Sequence, residues 1–105
     1  MAAEANNRGG IDDTKAKNYL NAVRTRAFGD NFHNITASGA ALTDFILAER
    51  RVELVGEGHR FFDLVRTGKA AAEIDGFTPN KNELFPIPYE EIQFSNGNWQ
   101  QNTGY

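Results

Sequence analysis

The stretch from about Ala40 to about Glu57 constrains the fold more than any other part of the chain. Ser38 stands where a helix N-cap belongs. Leu42, Phe45, Ile46 and Val52 mark one side of a helix, and Leu47, Leu54 and Val55 widen the apolar band well beyond it. A helix that is apolar over much of its circumference is normally held between neighbours. The stretch therefore predicts a packing of several helices. Gly56 and Gly58 each cost about 1 kcal/mol in a helix interior, which predicts a break near them. Phe61, Phe62, Leu64 and Val65 then predict a short helix ended by Gly68.

The flanks fit that picture. Residues 1–8 are Ala-rich and suit the end of a helix, stopped by Gly9-Gly10. Asp12 or Asp13 can cap a second helix. Its stripe is Ala16, Tyr19, Leu20, Val23 and Ala27, and Gly29 ends it. Two helices joined by a short glycine turn make a helical hairpin. Residues 29–39 read as a polar loop. After residue 69 the pattern changes. Leu84-Phe85-Pro86-Ile87-Pro88 must be extended, because a residue before proline is pushed out of the α region. Pro88 can open one short turn over 89–94. The Asn- and Gly-rich tail carries a single Trp. The expected fold is mainly α. A helical hairpin spans 1–28, a long helix with a break near 56–58 spans 38–68, and an irregular tail over 69–105 packs on the helices.

A length of 105 residues implies one domain, and its apolar supply is thin. Leu, Ile, Val and Phe make up about 23% of the chain, just above the ~20% below which disorder sets in. The net charge of −3 lacks the basic footprint of a nucleic-acid binder. Zero cysteines exclude disulfides, thiolate metal sites and cysteine nucleophiles. No apolar run approaches the ~18 residues of a membrane span. The first ten residues contain no signal-peptide pattern, so an export address, if one exists, is missing from this chain.

Chemistry-bearing side chains cluster between Glu49 and Arg66. Glu49, Glu53 and Glu57 fall at i, i+4 and i+8, in one helix column, and must meet cations because like charges at that spacing repel. A metal is one source. Carboxylate–His metal bundles need a Glu-x-x-His pattern from more than one helix, and the second His here, His33, lies in a loop. Arginine is the other source: Arg50, Arg60, and Arg24 or Arg26 from the hairpin, in a partly buried network that supplies packing specificity. His59 and Asp63 are the only His–carboxylate pair at helical spacing. General acid–base work there would need a nucleophile, and no motif places Thr43 or Thr67 as one. Gly56-x-Gly58 lacks the rest of any phosphate loop. Asn34-Ile35-Thr36 is a formal glycosylation sequon, meaningful only in a eukaryotic secretory setting. Tyr89, Trp99 and Tyr105 can stack on sugar faces or pin a structureless tail to the helices. No catalytic or metal residue is assigned, no cofactor is implied, and ligand-binding residues stay unassigned.

Taken together, the sequence resembles the C-terminal region of the SusD/RagB family. The matching blocks are Ala22–Ala27, Ile46–Leu54 and Glu57–Lys69. Leu84–Pro88, Glu91-Ile92 and Gln101–Tyr105 continue the match to the last residue. One departure is Thr103, where the family commonly carries proline. The resemblance implies an exported bacterial lipoprotein on the outer face of the outer membrane, built on tetratricopeptide-like helical hairpins. It implies a protein that is not an enzyme and binds glycan, oligosaccharide or peptide nutrient. The implied partner is a TonB-dependent porin of the SusC type, with no nucleic acid. Whole members are several times longer, with the lipid-bearing cysteine upstream. None of the family's sugar-contacting residues maps onto this sequence. Two alternatives stand beside it: a small helical protein–protein interaction module without its own ligand site, and a carboxylate–His metalloenzyme. The apolar shortfall is the expected signature of part of a domain, or of a unit that self-associates.

Overall fold

The structure, a computed structural model, describes residues 1–105 and contains six helices and no strands: it is mainly α. They are α1 (Ala2–Arg8), α2 (Asp13–Phe28), α3 (Gly39–Glu53), α4 (Arg60–Arg66), α5 (Ala70–Glu73) and α6 (Tyr89–Phe94). Two compact units divide the chain, Met1–Gly58 and His59–Tyr105.

In the first unit α1 packs on both α2 and α3. Asp12 caps α2 by accepting the Lys15 N–H at 2.9 Å, which satisfies one of the four free donors at the helix start. Gly29 ends α2 in the left-handed region, with φ 78°, and its N–H donates to the Thr25 carbonyl. The core consists of Ala3, Ala16, Leu20, Leu42 and Ile46, with Ile35 from the α2–α3 loop packed against it. Ala16 and Leu20 come from the predicted α2 stripe. Tyr19 and Ala27 from the same stripe are exposed.

The third helix departs from expectation twice. It ends at Glu53, about one turn before the predicted Glu57. Leu54 leaves helical geometry, and turns carry the chain through Gly56 and Gly58, both left-handed at φ 83° and 75°. Its apolar band is also not enclosed. Leu42 and Ile46 are buried, whereas Phe45 and Val52 are 44% and 67% exposed. One side of α3 makes the core and another faces outward.

In the second unit α4 packs on α5, burying Leu64 and Ala70. Outside α5 and α6 the chain after Arg66 has no regular helix, and side-chain amides tie it down. Gln101 accepts the Ile87 N–H and donates to the Ile87 carbonyl, both at 2.8 Å. Asn102 donates to the Phe85 carbonyl at 2.6 Å, and the Tyr105 hydroxyl to the Leu84 carbonyl at 2.9 Å. An extended segment punctuated by prolines cannot build a full ladder, so side chains satisfy its backbone.

Candidate functional site

Polar side chains join the helices of the first unit at two places. At one end, Asp13 accepts the Gly39 N–H at 2.6 Å and the Asn7 amide at 2.7 Å. The Asn7 amide also reaches the Gly39 carbonyl at 3.1 Å, and the Thr43 hydroxyl donates to the Asn7 side-chain oxygen at 2.5 Å. Ser38 occupies the predicted cap position of α3 but makes no capping bond; its hydroxyl accepts from Lys17 instead. The cap on α3 is thus supplied by a carboxylate from α2. The Gly39 N–H, followed by the Asn7 amide, holds the Asp13 carboxyl below its ordinary range.

Farther along, Arg24 pairs with Glu49 and Arg26 with Glu53, both between α2 and α3. These hairpin arginines meet the first two members of the glutamate column. Glu57 lies beyond the end of α3 and outside that column. The other two arginines weighed for the column bond elsewhere as well. Arg50 donates to the Met1 sulfur, and Arg60 pairs with Glu73 at 2.9 Å. Arg24 and Glu49 are well shielded, so truncating either partner would strand a charge. Arg24 also donates to the His33 carbonyl at 2.7 Å and lies over the Phe28 ring. His33 stacks on Phe28 with ring centroids 4.0 Å apart. Its Nδ1 sits 3.0 Å from Asp30, and this bond is the largest cause holding the Asp30 carboxyl below its ordinary range.

An apolar concavity lies in each unit. The first holds about 320 Å³ and is lined by Ala3, Tyr19, Leu20, Val23, Ile46 and Leu54, with Glu49, Arg50 and Glu53 at its edge. The second holds about 330 Å³ among Phe61, Ile74, Phe77, Phe85 and Tyr105, with Asp75 and Asn82 as polar groups. Both are open to solvent rather than enclosed.

The remaining candidates are dispersed. Asp63 is buried and accepts from Arg66 at 2.7 Å, so its carboxylate is engaged in a local ion pair. His59 stands exposed at the start of α4. The Thr67 hydroxyl donates to the Asp63 carbonyl. Asn34 of the sequon accepts from Thr25. No three His, Asp or Glu side chains assemble as a metal site. Of the three tail aromatics, Tyr105 anchors the tail through its hydroxyl, while Tyr89 and Trp99 are 68% and 55% exposed. The backbone bonds made by Asn21, Gln101 and Asn102 were not foreseen in the sequence. The available signal was a surplus of amides beside segments with no ladder to join.

A profile of the SusD family (SusD_RagB) matches residues 1–83. Curated relatives come from Formosa agariphila. SusD-like protein P38 is 42% identical over 67 residues, covering 61% of this chain and 13% of that protein. SusD-like protein P2 is 30% identical over 120 aligned positions, covering all of this chain and 24% of that protein. SusD-like protein P25 is 34% identical over 107 positions, covering 89% of this chain and 20% of that protein. The chain thus spans between 13% and 24% of the length of these relatives. No solved structure matches it. The profile ends before the Leu84–Pro88 and Gln101–Tyr105 blocks, and the alignment with SusD-like protein P2 carries the similarity across the whole chain. On the profile match over most of its residues, the chain belongs to the SusD family.

Proposed function

We propose that the chain is the C-terminal region of a SusD-like cell-surface protein that captures glycan or another nutrient for a TonB-dependent porin of the SusC type. The observation that carries this reading is the family profile over residues 1–83. The full-length parent sits on the outer face of the outer membrane, held by a lipid. It binds rather than transforms its ligand. The α1–α2 hairpin with α3 against it supports a tetratricopeptide-like framework. On this reading the Arg24–Glu49 and Arg26–Glu53 pairs fix the register of α2 on α3, and ligand contacts come from elsewhere in the parent.

The test is a glycan array followed by calorimetry on the full-length parent, with pull-down of its porin. Saturable binding of at least one oligosaccharide or peptide, with porin recovered, is the expected result. A parent that binds none, or that turns its ligand over, overturns the reading. The second reading, an interaction module with no ligand site, draws on the exposed Phe45 and Val52 of α3.

A further inference from the structure

Asparagine is abundant in this chain, yet only Asn96 is followed by a glycine. That pair forms the tip of a tight turn just after α6. The Asn98 N–H donates to the Ser95 carbonyl at 3.1 Å, and the Asn98 side-chain amide reaches the same oxygen at 2.8 Å. Asn96 and Gly97, the two central residues, are both left-handed, with φ 52° and 83°. Positive φ at both central positions is the mark of a type I′ turn, and Asn-Gly is the pair it favours. The peptide unit that joins them is bonded at neither end: the Asn96 carbonyl accepts no hydrogen bond, and the Gly97 N–H donates none. The Asn96 side-chain amide makes none either. This peptide unit can therefore rotate without breaking a bond of its own. Gly97 carries no side chain to screen its nitrogen.

From this turn we infer that Asn96 is a site of spontaneous deamidation. Hydroxide takes the proton of the unbonded Gly97 N–H, and the nitrogen attacks Cγ of the Asn96 side chain. A C–N bond closes a succinimide ring as the bond from Cγ to the side-chain nitrogen breaks. That nitrogen leaves as ammonia with a proton from water, which regenerates the hydroxide. Water then opens the ring. Opening at Cγ restores the ordinary chain with an aspartate at position 96, and opening at the main-chain carbonyl leaves a β-linked isoaspartate. The net change is water in and ammonia out, with a negative charge gained. The β-linked product adds a backbone carbon inside the turn, so the Ser95–Asn98 closure no longer fits. The Trp99 N–H, which donates to the Ser95 hydroxyl at 3.0 Å, loses the turn that positions it. Asn80 is an internal comparison, left-handed as well at φ 63°. The next residue there is Lys81, whose N–H already donates to the Thr78 carbonyl at 3.2 Å and whose side chain screens the nitrogen.

The test is peptide mapping by mass spectrometry on the 105-residue chain, held in warm buffer at neutral and at mildly alkaline pH. The peptide carrying Asn96 should gain the mass difference between an amide and an acid, faster at the higher pH, and separate into two products of equal mass. Asn80 should change at least about tenfold more slowly. Gly97→Ala, whose added Cβ meets nothing within 4 Å, should slow the change at Asn96 several-fold by screening the nitrogen. Because the fold leaves this peptide unit unbonded, unfolding in guanidinium should speed the reaction at Asn96 by less than about tenfold. An Asn96 peptide that keeps its mass, or that changes no faster than Asn80, overturns the inference. So does a single product, a rate indifferent to Gly97→Ala, or a larger acceleration on unfolding.

Discussion

Asp13 lies in the first turn of α2, yet its carboxylate closes the start of α3. Because the Gly39 N–H and the Asn7 amide favour its charged form, its folded pKa lies below the ordinary value of 3.8. Its stabilisation is therefore complete above that pH and is lost as pH falls through the folded value. Asp30, held down first by His33, adds to the same trend. Urea titrations between about pH 5 and about pH 3 should find stability falling on acidification, less steeply in Asp13→Asn than in the parent sequence. Asn21 makes a second such link: it accepts the Ile35 N–H at 2.8 Å and donates to the Ile35 carbonyl at 3.0 Å. Asn21→Leu strands both backbone groups and should cost about 1–3 kcal/mol, read as a lower urea midpoint. Neither link was legible in the sequence. An aspartate beside a cap position reads as a local cap, and nothing local reveals that Asp13 reaches a glycine 26 residues on.

The helices were legible where a local rule decides. Asp12, Gly29 and the run Ala16–Leu20 each combine a propensity with a period, and the structure uses all three. At Gly29 the rule is conformational: an added Cβ would meet nothing within 4 Å, so only the backbone resists substitution. Gly29→Ala should cost about 1 kcal/mol through the left-handed φ, and Gly29→Asn less. Equal denaturant slopes with shifted midpoints would confirm that the native state is otherwise unchanged. The circumference of α3 was not legible in the same way. Leu42, Phe45, Ile46 and Val52 share a broad apolar side, and periodicity cannot say which part of it other helices cover. The early end at Glu53 was missed because Leu54 and Val55 continue the apolar pattern past the last helical residue.

The first unit rests on a core of five small or medium residues, Ala3, Ala16, Leu20, Leu42 and Ile46. Against that, Phe32, Val52 and Val55 are 95%, 67% and 79% exposed. The thin apolar supply is spent unevenly, with much of it on the surface. A core this small leaves little margin, since folded domains are stable by only about 5–15 kcal/mol. Leu42, with none of its surface exposed, has the most to lose. Leu42→Ala should cost about 2–5 kcal/mol and remove most of the first unit's helical signal in circular dichroism at 25 °C. Full retention of that signal would mean the packing around Leu42 relaxes far more than a close-packed interior does.

The paired amide bonds at Ile35 and Ile87 also bear on time. Each residue lies in an irregular segment, where backbone hydrogens ordinarily exchange with solvent quickly. Each N–H is held by one side chain that also holds its carbonyl. One rotation of Asn21 or of Gln101 therefore frees both groups together. Deuterium uptake at these two amides should lag behind their neighbours, so that each single side chain acts as the latch on its own segment of loop.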